Sequence, residues 1–183
     1  MKKQNTALYI LRLALTLLII TGLVAAALAG VNAITEPIIE AINAQKTQEA
    51  IEAVLPGGGE ALESFSDETG LVKAVYASDM GYAVQVTPSG FGGEIDMMVG
   101  IGTDGKVLNI SIISHAETPS LGAVAAAASS AGESFRGQFA GQSGELAVSK
   151  DGGTIDAITS ATITSRAVTE GVNAALQCVM QFG

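Results

Sequence analysis

The chain of 183 residues contains one cysteine, one histidine and only nine basic residues. Cys178 has no second cysteine with which to form an internal disulfide. Together with His115 it is also too little for a zinc, iron–sulfur or c-type haem site. Redox chemistry in this protein would therefore need an organic cofactor. Eighteen acidic residues against nine basic ones give a net charge of −9, so we expect nucleic acid to be repelled. The shortage of cysteine and histidine is the reason that we expect no metal site.

Charged residues are also missing from one long apolar segment, residues 13–35. As a helix this segment would measure about 34 Å, enough to cross a hydrocarbon core of about 30 Å. Lys2, Lys3 and Arg12 precede it, and by the positive-inside rule they keep residues 1–12 in the cytoplasm. The rest of the chain is then exported. From Leu13 onward six basic residues face 18 acidic ones, a net charge of −12.

A cleaved signal peptide is the alternative for this segment. Ala27-Leu28-Ala29 before Gly30 fits the small-x-small pattern of a cleavage site. We favour a retained transmembrane helix, because the apolar run is longer than the usual core of a signal peptide. In both cases the domain that follows is exported.

Residues 36–70 are predicted to form a helical stalk and a linker. Apolar residues recur at steps of three and four between Pro37 and Leu55, which is helical periodicity. Pro37 suits a first helical turn, and Pro56 with the three glycines after it would end the helix.

Residues 71–183 are predicted to form an exported α+β domain of antiparallel hairpins flanked by helices. Alternating β-branched residues on either side of turn residues predict two hairpins. The second is joined by Asp104-Gly105, a dipeptide favoured in type I′ turns. The strands are predicted at 71–76, 82–86, 95–102 and 106–114, and the helices at 121–135 and 164–180.

Hydroxyl residues cluster just before the last predicted helix, in residues 156–165. They could simply cap that helix, because their oxygens accept hydrogen bonds from unpaired backbone N–H groups. Alternatively, a hydroxyl at the positive end of a helix is well placed to carry a phosphate. The sequence lacks a Gly-x-Ser-x-Gly elbow and nucleotide-binding glycine motifs. A Ser-His-Asp hydrolase is therefore disfavoured, and His115 is better explained by a local hydrogen bond at a strand end.

The segment from Asp156 to Thr162, Asp-Ala-Ile-Thr-Ser-Ala-Thr, resembles the flavinylation motif of the FMN-binding domain family, Asp-x-x-Ser/Thr-Gly-Ala-Thr. In that family the last threonine is esterified through its side-chain oxygen to the phosphate of FMN, which here implies Thr162. A second family block, Glu-Thr-Pro-Gly-Leu-Gly, resembles residues 117–122. The resemblance implies flavin contacts from Glu117, Thr118, Leu121, Gly122, Thr159, Ser160 and Ala161.

Two positions depart from the family pattern. Ser120 and Ser160 stand where the family usually has glycine. If those glycines serve positive φ or close backbone approach, serine has a steric cost there.

The resemblance also implies partners and a function. A separate flavin transferase, using FAD and magnesium, would donate the FMN group, and the flavin would then pass electrons. Within the family the layout is most similar to the G subunits of Rnf complexes, membrane assemblies of polytopic, iron–sulfur and flavin subunits. These move electrons between ferredoxin and NAD and couple the flow to Na⁺ or H⁺ transport. The alternatives are the C subunit of a sodium-pumping NADH:quinone oxidoreductase, a stand-alone exported flavoprotein and a non-redox anchored module.

Overall fold

The computed structural model describes residues 6–182. The chain divides into two units, with the boundary between Gln45 and Lys46. The described part of the first unit, residues 6–45, is helical throughout. The second contains the β-sheet, the remaining helices and the candidate site.

Helix α1 runs without interruption from Thr6 to Val54 and includes Pro37. Pro37 therefore lies in the interior of the helix and not in a first helical turn. Proline in a helix interior removes one backbone hydrogen bond and costs roughly 3 kcal/mol, a local penalty that the long helical runs on both sides outweigh. Within the described residues, this is the helix that is long and apolar enough to cross a membrane, over Leu8–Val54.

The β-sheet is a five-stranded antiparallel meander in which each strand pairs with the next along the chain. The α+β fold class and both predicted hairpins are confirmed. The first strand is very short and was not predicted, because two residues carry no periodic signal. The strands are β1 (Glu60–Ala61), β2 (Val72–Ser78), β3 (Gly81–Val86), β4 (Ile95–Gly102) and β5 (Val107–His115).

The turn between β4 and β5 differs from the predicted type I′ turn. Gly105 has a positive φ of 74° whereas Asp104 does not, and a type I′ turn requires positive φ at both central residues. Gly105 donates its backbone N–H to the carbonyl of Gly102, and Gly102 donates its own to the carbonyl of Lys106. This pattern is the three-residue connection in which a turn is followed by a left-handed glycine.

Two helices follow the sheet, α2 (Ser130–Gly137) and α3 (Thr162–Val179), each preceded by a 3₁₀ turn, Gly122–Ala125 and Ser149–Asp151. The single helix predicted over 121–135 is therefore wrong. Arg136 explains the break, because its guanidinium donates to the carbonyl oxygens of Ala125 and Ala127 at 2.6 and 3.1 Å. Those carbonyls are held by a side chain instead of by the next helical turn.

Both faces of the sheet are covered. On one face α3 packs against the strands, with Val168 and Val172 fully buried. On the other face the last turns of α1 bring Ile51 and Val54 against Met98 of β4. Since β4 is covered on both sides, its sequence is a nearly continuous apolar run instead of an alternating one.

Candidate functional site

A cleft of about 320 Å³ opens at the N-terminal end of α3. Its walls come from three segments that are distant in sequence: the glycine-rich loop before β4, residues 117–122 after β5, and the first turn of α3. Three apolar side chains on these walls remain uncovered, Phe91, Leu121 and Ile163, which are 68%, 40% and 50% exposed. An uncovered apolar cleft beside polar groups is typical of a site for a flat organic ligand.

The carboxylate of Glu117 ties these three segments together. Glu117 is buried, at 6% exposure, and both of its carboxylate oxygens have partners. Oε1 accepts from the backbone N–H of Gly92 at 3.0 Å, and Oε2 accepts from the hydroxyl of Thr164 at 2.7 Å. A Cβ at Gly122 would clash with Oε2 of Glu117 and Oγ1 of Thr164, so a side chain at that position would displace this hydrogen-bonded pair. Glu117 lines the cleft and also braces it.

Ser120 and Ser160 have the left-handed backbone conformation, with φ of 62° and 63°. They are the two described non-glycine residues with positive φ, and they are also the two positions that depart from the family's glycines. Each directly precedes a pair of cleft-lining residues. A residue with a Cβ in this conformation costs on the order of 1 kcal/mol relative to glycine, so the expected steric cost of serine has a structural basis.

The hydroxyl residues at the start of α3 do not serve as N-caps. The N-cap position is Ala161, and no side chain caps the helix there. Thr164 donates to Glu117, while Ser165 accepts from the backbone N–H of Ile158 at 3.0 Å and donates to the carbonyl of Ala161. Both of these side chains are buried and are used by the fold.

Thr162 is different, because its hydroxyl is hydrogen-bonded to an exposed side chain, whereas Thr164 and Ser165 are buried. It is the first residue of α3 and is half-buried on the cleft wall. Its Oγ1 accepts a hydrogen bond from Nζ of Lys150 at 2.9 Å. The hydroxyl thus belongs to a cleft-lining residue and lies beside a cation, at the positive end of an 18-residue helix.

A neighbouring ion pair fixes the segment that carries Lys150. Asp151 accepts from Nε and Nη2 of Arg166, each at 2.6 Å, in a bidentate pair. The guanidinium hydrogen bond lowers the pKa of Asp151 below its ordinary value, and the same bond raises the pKa of Arg166. Arg166 lies one helical turn after Thr162, so the pair ties the 3₁₀ turn at Ser149–Asp151 to the start of α3.

The structure brings most of the residues singled out from the sequence to this one cleft. Glu117, Thr118, Leu121, Gly122, Ser160, Ala161 and Thr162 all line it. Thr159 and Asp156 do not. Thr159 is exposed beside the cleft, and the backbone of Asp156 is held outside it by the amide group of Gln138.

Sequence reasoning missed four contributors: Phe91, Ile163, Thr164 and Lys150. Ile163 and Thr164 directly follow the motif, so their place was available from adjacency. Phe91 lies in the glycine-rich loop before β4 and was not singled out from the sequence. Lys150 had no signal, because a lone lysine twelve residues from its partner becomes visible only once the loop is folded.

His115 lies at the end of β5 and forms a local contact, as expected. Its Nδ1 accepts from the backbone N–H of Glu117 at 3.2 Å. The side chain is exposed and does not line the cleft.

Comparison with known proteins agrees with this cleft. Residues 90–177, which include every cleft-lining residue, match the model of the FMN-binding domain. The G subunit of the Na⁺-translocating ferredoxin:NAD⁺ oxidoreductase complex of Acetobacterium woodii is 36% identical, over 92% of this chain and 90% of that protein. The G subunit of the ion-translocating oxidoreductase complex of Methanosarcina acetivorans is 28% identical, over 93% and 94%.

A third relative matches more strongly over a shorter stretch. The G subunit of the proton-translocating ferredoxin:NAD⁺ oxidoreductase complex of Clostridium ljungdahlii is 46% identical, over 55% of this chain and 54% of that protein. The fold and the cleft define a protein with an FMN-binding domain after one long apolar helix. The chain belongs to the family of G subunits of Rnf-type ion-translocating oxidoreductase complexes.

Proposed function

We propose that the chain is a membrane-anchored electron carrier that holds FMN through a phosphoester on the hydroxyl of Thr162. One observation carries this proposal: Thr162 lines the cleft with its hydroxyl hydrogen-bonded to an exposed lysine, whereas the hydroxyls of Thr164 and Ser165 are buried and committed to the fold. Bound there, the flavin supplies one- and two-electron transfer.

The cleft fits this group on its own geometry. Phe91, Leu121 and Ile163 offer exposed apolar surface that a planar ring would cover. The uncapped start of α3 offers backbone N–H groups and the positive end of the helix to a phosphate. Thr162 lies at the junction of the apolar and the polar parts. Thr118, Gly122 and Ala161 complete the proposed contacts from the cleft walls.

The attachment requires a phosphoryl donor and a transferase. Oγ1 of Thr162 forms a bond to the flavin-side phosphorus of FAD, and the bond from that phosphorus to the AMP oxygen breaks. AMP and the hydroxyl proton are released, so the product is a phosphodiester with one negative charge. We propose a flavin transferase using FAD and magnesium as the partner in this step, with Asp156 and Thr159 outside the cleft as part of its recognition motif.

The similarity to G subunits supports a place in an Rnf-type complex. We propose that this chain relays electrons beside polytopic and iron–sulfur subunits of a ferredoxin:NAD oxidoreductase that translocates Na⁺ or H⁺. Co-purification of those subunits with the tagged full chain tests this role. Purification of the flavinylated chain alone from a membrane that contains them would instead identify a stand-alone flavoprotein.

We propose that residues 13–35 stay in the membrane, with residues 1–12 in the cytoplasm and the flavin domain outside. The apolar helix α1 supports the anchor, and the basic residues before it support the orientation. Mass spectrometry of the intact purified chain gives the N-terminus and the added flavin mass together. A chain that begins at Gly30 would show that the segment is a cleaved leader.

Substitution of Thr162 tests the attachment directly. In a strain that expresses the transferase, the full chain should give a fluorescent band on a denaturing gel, and Thr162→Ala should abolish it. Thr162→Ser keeps a hydroxyl and should retain a band. Thr154→Ala is the matched control, since Thr154 is exposed and lies outside the cleft. A fluorescent Thr162→Ala band would refute the site.

A further inference from the structure

We infer that Lys150 is a positioning residue for the phosphate at Thr162, holding the acceptor oxygen before the phosphoryl group arrives and neutralising the phosphodiester afterwards. The inference rests on the proposed function and concerns a residue that lies outside the family motif. The hydrogen bond from Nζ of Lys150 to Oγ1 of Thr162 carries it.

The ammonium is directed at the atom that would form the ester. At 2.9 Å it donates to a lone pair of Oγ1, which leaves the hydroxyl proton free to point elsewhere. A cation at hydrogen-bond distance stabilises negative charge that develops on that oxygen during attack on phosphorus. Any phosphate oxygen on the same ester is then within reach of the same flexible ammonium.

The neighbouring charges leave Lys150 available for this role. Arg166 is the other cation beside Thr162, but both arms of its guanidinium are engaged by Asp151. In the described part of the chain Lys150 forms no ion pair of its own. A phosphate at Thr162 would therefore meet a lysine that is not already paired with a carboxylate.

The backbone around Lys150 is fixed. Val148 forms a parallel bridge with Ile155, and Ser149 donates its backbone N–H to Ile155 at 2.8 Å. Asp151, the next residue after Lys150, is clamped to α3 through Arg166. The lysine is thus presented from an ordered turn, so little backbone freedom is lost when its ammonium meets an anion.

The overall negative charge of the chain beyond Leu13 makes a local cation favourable at this site. With a net charge of −12 beyond Leu13, the surroundings oppose both the approach of FAD and the retention of a phosphodiester. A single well-placed ammonium acts at contact distance, where salt screens it less than it screens the diffuse field of the domain.

Initial rates of flavin incorporation test the inference, using the full chain in detergent with purified transferase, FAD and magnesium. Lys150→Met removes the charge with little change in length, and we expect the rate to fall by about tenfold or more, since tenfold is near the lower end of the range for one charge-assisted hydrogen bond. Lys150→Arg should retain most of the wild-type rate. Lys106→Met is the control, because Lys106 is similarly exposed and lies two residues after an aspartate in another turn.

A second measurement separates phosphate neutralisation from a structural role. Melting temperatures of the unflavinylated variants should be equal, whereas the rise in melting temperature on flavinylation should be smaller for Lys150→Met than for wild type. A wild-type rate for Lys150→Met would overturn the inference, and so would a Lys150→Arg rate as low as that of Lys150→Met. Labelling of Thr162→Ala would instead overturn the attachment site itself, so the two failures are distinguishable.

Discussion

Helices α1 and α3 are both rich in Leu, Ile, Val and Ala, but they expose these residues differently. Along α1 the large apolar side chains from Leu8 to Ile42 are all exposed, on every side of the helix. In α3 the apolar residues form one buried face, with Val168 and Val172 at 0% exposure, and Arg166 and Glu170 lie on the opposite face.

The difference shows what each helix needs as its surroundings. A helix with one apolar face needs a single packing partner, and for α3 this is the sheet. A helix that is apolar all round is stable only when apolar material surrounds it, either the core of a large protein or lipid. For the proposed transmembrane segment, residues 13–35, the described protein offers no such core, so lipid is the medium that would account for its exposed apolar side chains.

The largest expected effect is an aspartate placed in the buried face of α3. Val172→Asp would leave an unpaired charge in the core, and we expect it to destabilise the domain by roughly 3–5 kcal/mol. Chemical denaturation of the full chain in detergent measures this loss. Val172→Ala provides the scale for a simple cavity, at about 1–2 kcal/mol. If the aspartate were tolerated, α3 would not be the core helix that we describe.

An aspartate placed in α1 should reduce membrane insertion and leave the stability of the domain unchanged. Leu23 is 68% exposed, and Leu23→Asp should reduce membrane partitioning by about 3 kcal/mol, on the order of a hundredfold. Fractionation of cells into membrane and soluble material measures the change, with Leu23→Ala as control. A lowered melting temperature with normal membrane retention would contradict the comparison, because it would mean that this part of α1 packs as protein core.

A smaller effect is expected where the chain enters α3. Just before α3 the backbone of Ser160 has a left-handed conformation, whereas α1 contains no such residue from Thr6 to Val54. Ser160→Gly should stabilise the unflavinylated chain by about 0.5–1 kcal/mol, since glycine adopts this backbone without the Cβ penalty. Thermal unfolding measures the shift. Ser143→Gly, at an exposed serine without positive φ, should give no stabilisation, and equal gains at both positions would refute the explanation.

The hairpins were predictable because their signals are local. Alternating apolar residues on both sides of a turn fix strand pairing within about ten residues. The predicted helix over 121–135 failed for the opposite reason. Its alanines favour helix, but the guanidinium of Arg136 takes the carbonyls that a continuous helix would have used. Helix propensities describe residues one at a time and do not represent competition by a distant side chain for the backbone carbonyls.

The candidate site was predictable in part. The order of residues along the motif pointed to Thr162 and to residues 117–122, and the fold brings these together. The sequence could not show that Thr164 and Ser165 are used internally, or that Lys150 reaches Thr162. Both facts depend on contacts between segments joined by loops, and no spacing rule describes such contacts.

The carboxylate of Glu117 holds three separate segments of the chain together. Loss of flavin in a Glu117 variant would therefore have two explanations, a missing contact or a disrupted cleft. In a set of variants compared by gel fluorescence, the flavin band would be absent both when the acceptor hydroxyl is removed and when the cleft does not fold. Glu117 and Thr162 would be ranked together, although the threonine supplies chemistry and the glutamate supplies architecture. Only a folding measurement run in parallel would separate the two kinds of loss.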